Sequence, residues 1–238
     1  MGVIATTGRK RINGALSRKS ADSEIIDFGA YSEGARRILL TAEELFGEHG
    51  INGVSLRQIL AAAGQSNKGS VYQHFGSKER LIFAIFEMRL PSLEKARQER
   101  LLAAQGLGPP SIQTLLAALL LPFTTYTRAK TRRSVAQFHL QLFFHLSGRR
   151  HPIETWHKDS PVGFEIISSL RELLIHLPHE VFRARLRLAV GMVLTGIANP
   201  DYAIESKYRA LFSADYYDDL ISMASAALKS PWSRLAKD

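Results

Sequence analysis

The chain of 238 residues contains no cysteine. That excludes disulfides and thiolate metal sites, and it suits a reducing compartment such as the cytoplasm. No long apolar run is present either. The most hydrophobic stretch, Leu115 to Leu121, is seven residues and stops at Pro122, whereas a membrane helix needs about 20. Acids are missing from two places. The first twenty residues carry Arg9, Lys10, Arg11, Arg18 and Lys19 and no Asp or Glu, and residues 101–153 hold none. No Gly-x-Ser-x-Gly elbow and no phosphate-cradling Walker loop occur. Gly106-x-Gly108 runs into Pro109-Pro110 with no third glycine, so it is no dinucleotide loop. No acid/base constellation marks an enzyme, and no cofactor is implied.

What is present is basic and globular in composition: 45% hydrophobic, 22% charged and a formal net charge of +9. A cationic surplus suits a polyanionic partner. The basic first 30 residues lack a signal peptide's apolar core; a transit peptide is also basic and acid-poor, but with a helical domain beginning soon after, they read as a flexible cationic arm. They would add salt-dependent affinity for nucleic acid through counterion release.

Helical periodicity governs the rest. Ala35, Ile38, Leu39, Ala42, Leu45 and Phe46 form one apolar stripe, with Glu43, Glu44 and Glu48 off it. Gly50 ends that helix. Ser55 with Gln58 three residues on is a capping-box pattern, opening a short helix that Gly64 stops. A third short helix is expected from about Asn67 to Phe75, and Gly76-Ser77 breaks it before a long fourth helix that meets Pro91. Short helices joined by tight, glycine-containing turns read as a helix-turn-helix. Beyond Gly106 the expected helices are Ile112 to Leu121, Ser134 to Leu146, Pro161 to Leu177, Glu180 to Ile197 and about Ala214 to Lys229. No alternating β-pattern occurs. The fold class is all-α: an amino-terminal helix-turn-helix domain at 31–90 and a helical bundle at 91–238.

The segment AGQSNKGSVYQHFGSKERL, Ala63 to Leu81, is richer in polar chemistry than a packing helix needs. A recognition helix is short and offers donors and acceptors to base edges in the major groove. Asn67, Lys68, Gln73 and His74 carry that chemistry. Gly69 and Ser70 leave room for the backbone beside phosphates, with Ser66 in the turn before them, and Tyr72 offers a hydroxyl. Lys78 at the start of the fourth helix, and Ser55 with Arg57 at the start of the second, are phosphate candidates. Read singly, each of these is an ordinary surface residue; the constellation is what points to DNA.

Those residues, with SLRQILAA and ARRILLTAEELF before them, resemble the tetracycline-repressor (TetR) family of bacterial regulators over roughly Ala35 to Phe86. The most specific part is the order Gly69, Tyr72, Phe75, Ser77, Lys78, Glu79. Gln65 departs from the small apolar residue the family usually has after Ala-Gly. The resemblance implies a homodimer on a palindromic operator, with a carboxy-terminal bundle that dimerises and holds a small-molecule effector. The implied function is a ligand-released repressor. An activator of the same fold is one alternative, and a helical small-molecule-binding protein with an incidental basic amino terminus is another.

Within the bundle, Leu186, Val190, Leu194, Tyr217, Leu220, Ile221, Ala224 and Leu228 are the dimer candidates, unless their stripe faces its own core. Phe123, Tyr126, Phe138, Phe143, Trp156 and Phe164 are pocket candidates, though aromatics at helical spacing are also ordinary core. His139 and His145 lie six apart, as do His151 and His157. Neither pair has the i, i+4 spacing of a helical zinc site, so no metal is expected.

Overall fold

In a computed structural model of the chain, the described residues are 29, 31–65, 74–106, 108–125, 132–147, 160–198 and 214–232. They form helices α1 (Glu33–His49), α2 (Leu56–Ala62), α3 (Lys78–Gln105), α4 (Ile112–Leu120), α5 (Pro122–Thr125), α6 (Arg132–Ser147), α7 (Pro161–Leu173), α8 (His179–Ala198) and α9 (Ala214–Lys229). Among the described residues there is no strand. The fold is all-α over the described residues.

Local chemistry starts and stops these helices where the residues require it. Ser32, Ser55, Ser77 and Ser111 each accept a backbone N–H of the first turn they precede. At Ser55 the cap is reciprocal: Gln58 N donates to Ser55 Oγ at 3.3 Å, and Ser55 N donates to Gln58 Oε1 at 2.8 Å. Gly64 and Gly76 take positive φ, 67° and 72°, a region that only glycine enters without steric cost. They bracket the polar segment. α3 runs unbroken through Pro91 to Gln105, so the proline removes one hydrogen bond without ending the helix.

Two apolar cores result. The head core gathers Ala35, Ile38, Leu39, Ala42 and Phe46 of α1 with Ile59 and Leu60 of α2 and Leu81, Ile82, Ile85 and Met88 of α3. The body core gathers Leu93 and Leu101 of α3, the buried face of α4, and inward residues of α7, α8 and α9. α6 serves both. Its Phe138 and Leu142 complete the head core, while Val135 and Ala136 belong to the body. Phe46 of α1 lies against Phe138 with ring centroids 6.3 Å apart. The approach of α1 to α6 is close enough that a Cβ on Gly47 would overlap the Ser134 carbonyl oxygen. No helix among the described residues is long and apolar enough to cross a membrane.

Candidate nucleic-acid interface

The expected third helix falls largely outside the described residues. Ser66, Asn67, Lys68, Gly69, Ser70, Tyr72 and Gln73 lie there, as does the basic arm before residue 29. The frame that holds the segment is described. On one side, Gln65 N donates to Leu60 O at 2.9 Å, closing the end of α2. On the other, Phe75 is buried in the head core, its ring 5.6 Å from Tyr31, and His74 beside it is exposed. The residues that flank the segment, Gln65 and Phe75, are thus held by the end of α2 and by the head core.

Around it lie two capped helix starts. Ser55 and Arg57 are exposed at the first turn of α2, where backbone N–H groups and the helix dipole favour an anion. Arg36, Arg37 and Arg80 are exposed on the same head. Arg36 Nε donates to Tyr31 O at 2.8 Å.

Lys78 has more to do than sequence reasoning assigned to it. Its Nζ donates to Val54 O at 2.5 Å and stands 5.5 Å from the centroid of the Phe46 ring. The ammonium thus ties the start of α3 to the turn before α2. Burial pushes its pKa down, with Glu79 opposing. The spacing Ser-Lys-Glu flags a charged helix start; nothing local to it reveals the carbonyl of Val54, 24 residues away.

A second omission is larger. Glu43 lies off the apolar stripe, yet it is 3% exposed. Its carboxylate meets the guanidinium of Arg89 from α3 in a two-point pair, Nε–Oε1 2.9 Å and Nη2–Oε2 2.5 Å. A buried acid is tolerable only when so matched, and the sequence does not show which of many arginines is the partner. Eight residues further along α3, Arg97 is also buried. It donates to Glu94 Oε1 at 2.8 Å, Ser160 Oγ at 3.1 Å and Leu119 O at 3.2 Å. Glu94 in turn accepts Val162 N at 2.7 Å and so caps α7 from a distance.

The pocket candidates among the described residues lie in different surroundings. Phe123 and Phe138 are buried on either side of His139, at 4.9 and 5.5 Å between centroids. Phe143 is half-buried and packs edge-on to Phe144, while Phe164 on α7 is 42% exposed. Tyr126 and Trp156 lie outside the described residues. His139 is fully buried, and its pKa is lowered to about 3, first by desolvation and then by Arg89 and Arg97. Among the described residues no group of three or more His, Asp or Glu could hold a metal ion.

The dimer candidates of α9 face inward. Leu220, Ile221, Ala224 and Leu228 are buried in the body core, as are Leu186 and Leu194 of α8; Val190 and Tyr217 are partly buried against it. One stripe of period 3.6 cannot reveal whether it meets its own chain or a copy, and here the core takes it. Gly196 of α8 lets Leu220 approach so closely that a Cβ there would meet its Cδ1 at 2.5 Å. The outward faces carry Leu188, 72% exposed, and Met223, 50% exposed.

Comparison with known proteins bears on the head. Residues 38–85 match the family model described as bacterial regulatory proteins, tetR family. Over 50 residues the chain is 40% identical to the HTH-type transcriptional repressor AcnR of Corynebacterium efficiens. That match covers 21% of this chain and 26% of the relative, so the likeness spans about a quarter of the curated protein.

Proposed function

We propose that this chain, a member of the TetR family of bacterial regulatory proteins through its residues 38–85, is a transcriptional repressor that binds a palindromic operator as a homodimer and is released by a small molecule. The observation that carries the reading is the head: two serine-capped helices, α2 and α3, flank in sequence the polar segment 66–74, inside the stretch matching the family model. Asn67, Lys68, Gln73 and His74 read base edges. Ser66, Gly69, Ser70 and Tyr72 sit at the backbone. Ser55 and Arg57 at α2, with Lys78 at α3, face phosphates. A DNase footprint over the chain's own upstream region tests this. A protected site with two-fold symmetric halves is the expected result; no protected site at moderate salt would refute it.

Arg57, exposed and on the first turn of α2, is the better probe of phosphate contact than Lys78, whose ammonium also holds the Val54 carbonyl. Arg57→Ala is expected to weaken binding to all duplexes alike and to lower the salt slope by about 1. An unchanged slope in an anisotropy titration removes Arg57 from the interface.

Two copies pair through the outward faces of α8 and α9, since their inward stripes are occupied by the body core. Exposed Leu188 and Met223 supply apolar contact there. Met223→Glu is expected to yield a folded monomer by light scattering, whereas Leu220→Glu destroys the fold because Leu220 is buried. A Met223→Glu chain that stays dimeric would move the interface elsewhere. The effector binds in the body, and population shift between head spacings accounts for release.

A further inference from the structure

The boundary between the two cores is not wholly apolar. Along α3 the head core ends at Met88 and the body core begins at Leu93. Between them lie Arg89, paired with Glu43, and Ser92, buried with no hydrogen-bond partner for its Oγ among the described residues. Across the gap stands His139 of α6, buried against Phe86, Phe123 and Phe138. Each apolar core is close-packed and resists movement through shape, but dispersion itself has no preferred direction. A bidentate carboxylate–guanidinium pair has one. Its two parallel hydrogen bonds fix distance and orientation together.

The pair also contributes little as a net source of stability. Desolvating both charges offsets most of their attraction, and well-packed apolar replacements of buried pairs are often neutral or stabilising. In some proteins a buried polar or ionic group instead specifies register. From this placement we infer that the Glu43–Arg89 pair is a register lock, holding the head at one angle on the α3–α6 frame of the body. The inference concerns this chain's internal geometry and does not rest on the DNA-binding reading.

The chain has no cysteine, so spin labels can be placed without background. Labels at Ala61→Cys, exposed on α2, and Glu172→Cys, exposed on α7, report head against body. Labelled chain is diluted into unlabelled chain, so that only intrachain distances are read by double electron–electron resonance. The labelled parent is expected to give one narrow distance. In the same background, Glu43→Leu with Arg89→Met is expected to melt cooperatively at or above the parent temperature while its distance distribution broadens or splits. An unchanged narrow distribution in that folded variant overturns the lock. If the double variant does not fold, Glu43→Gln, which keeps the shape and removes the charge, is read the same way. Loss of cooperative melting in both also overturns it, because the pair then holds the fold and not the register.

Discussion

Arg89→Met, with Glu43 left in place, is expected to destabilise the chain by about 3–5 kcal/mol. The carboxylate of Glu43 is 3% exposed and loses a guanidinium that meets both its oxygens. The site stays buried, so the carboxylate keeps its desolvation cost while losing its two-point partner. Burial without the guanidinium disfavours the charged form, so stability of the variant improves as pH falls toward the carboxylate range, against the trend of the parent. Chemical denaturation at two pH values checks both parts. A loss below about 1 kcal/mol, the range of an exposed pair, would mean that Glu43 is not buried as described. Replacing both partners by apolar residues removes the stranded charge and is expected to restore most of the loss.

The parent chain is expected to lose stability steeply as pH falls below about 6.5, and His139 is the cause. In the folded chain its pKa is lowered to about 3, first by burial and then by Arg89 and Arg97. In the unfolded chain it titrates near 6.5. The unfolded state therefore binds the extra proton between those values, and its population grows as pH falls. The contribution is complete above about pH 6.5, and its loss continues down to about 3, at up to about 1.4 kcal/mol per pH unit. Carboxylates titrate in the lower part of that range, so the window from about 6.5 to 5 isolates the histidine. His139→Phe, in an aromatic surround of Phe86, Phe123 and Phe138, removes the titrating group and is expected to flatten the curve there. An equal slope in parent and variant assigns the acid sensitivity to another group.

The sequence made the helices legible because their signals are local. Ser55 with Gln58 forms the capping box its spacing announces. The stripe from Ala35 to Phe46 is buried wherever it can be followed on α1 apart from Leu45, which packs partly buried beside it. The helices of the body begin and end within a few residues of where periodicity, proline and glycine place them. Partnerships across the chain were not legible. Glu43 and Arg89 stand 46 residues apart and Lys78 and Val54 stand 24 apart; no periodicity links them. The reach of Phe138 and Leu142 into the head core has the same origin. A helix with apolar residues on two sides shows that it is buried twice, not which neighbours it meets. The α9 stripe is the complementary case: its pattern is real, and the choice between core and copy is made by Gly196 and Leu220 in contact.

The account stands on the head reading a duplex with residues 66–74. The direct measurement is fluorescence anisotropy with a footprinted operator duplex and a scrambled duplex of equal length, using the parent chain and Gln73→Ala. The parent is expected to prefer the operator. The variant is expected to lose about 1–3 kcal/mol of that preference while keeping its affinity for the scrambled duplex and its helical circular dichroism. A parent that binds both duplexes equally, or a variant whose preference is unchanged together with that of Asn67→Ala and Lys68→Ala, would contradict it.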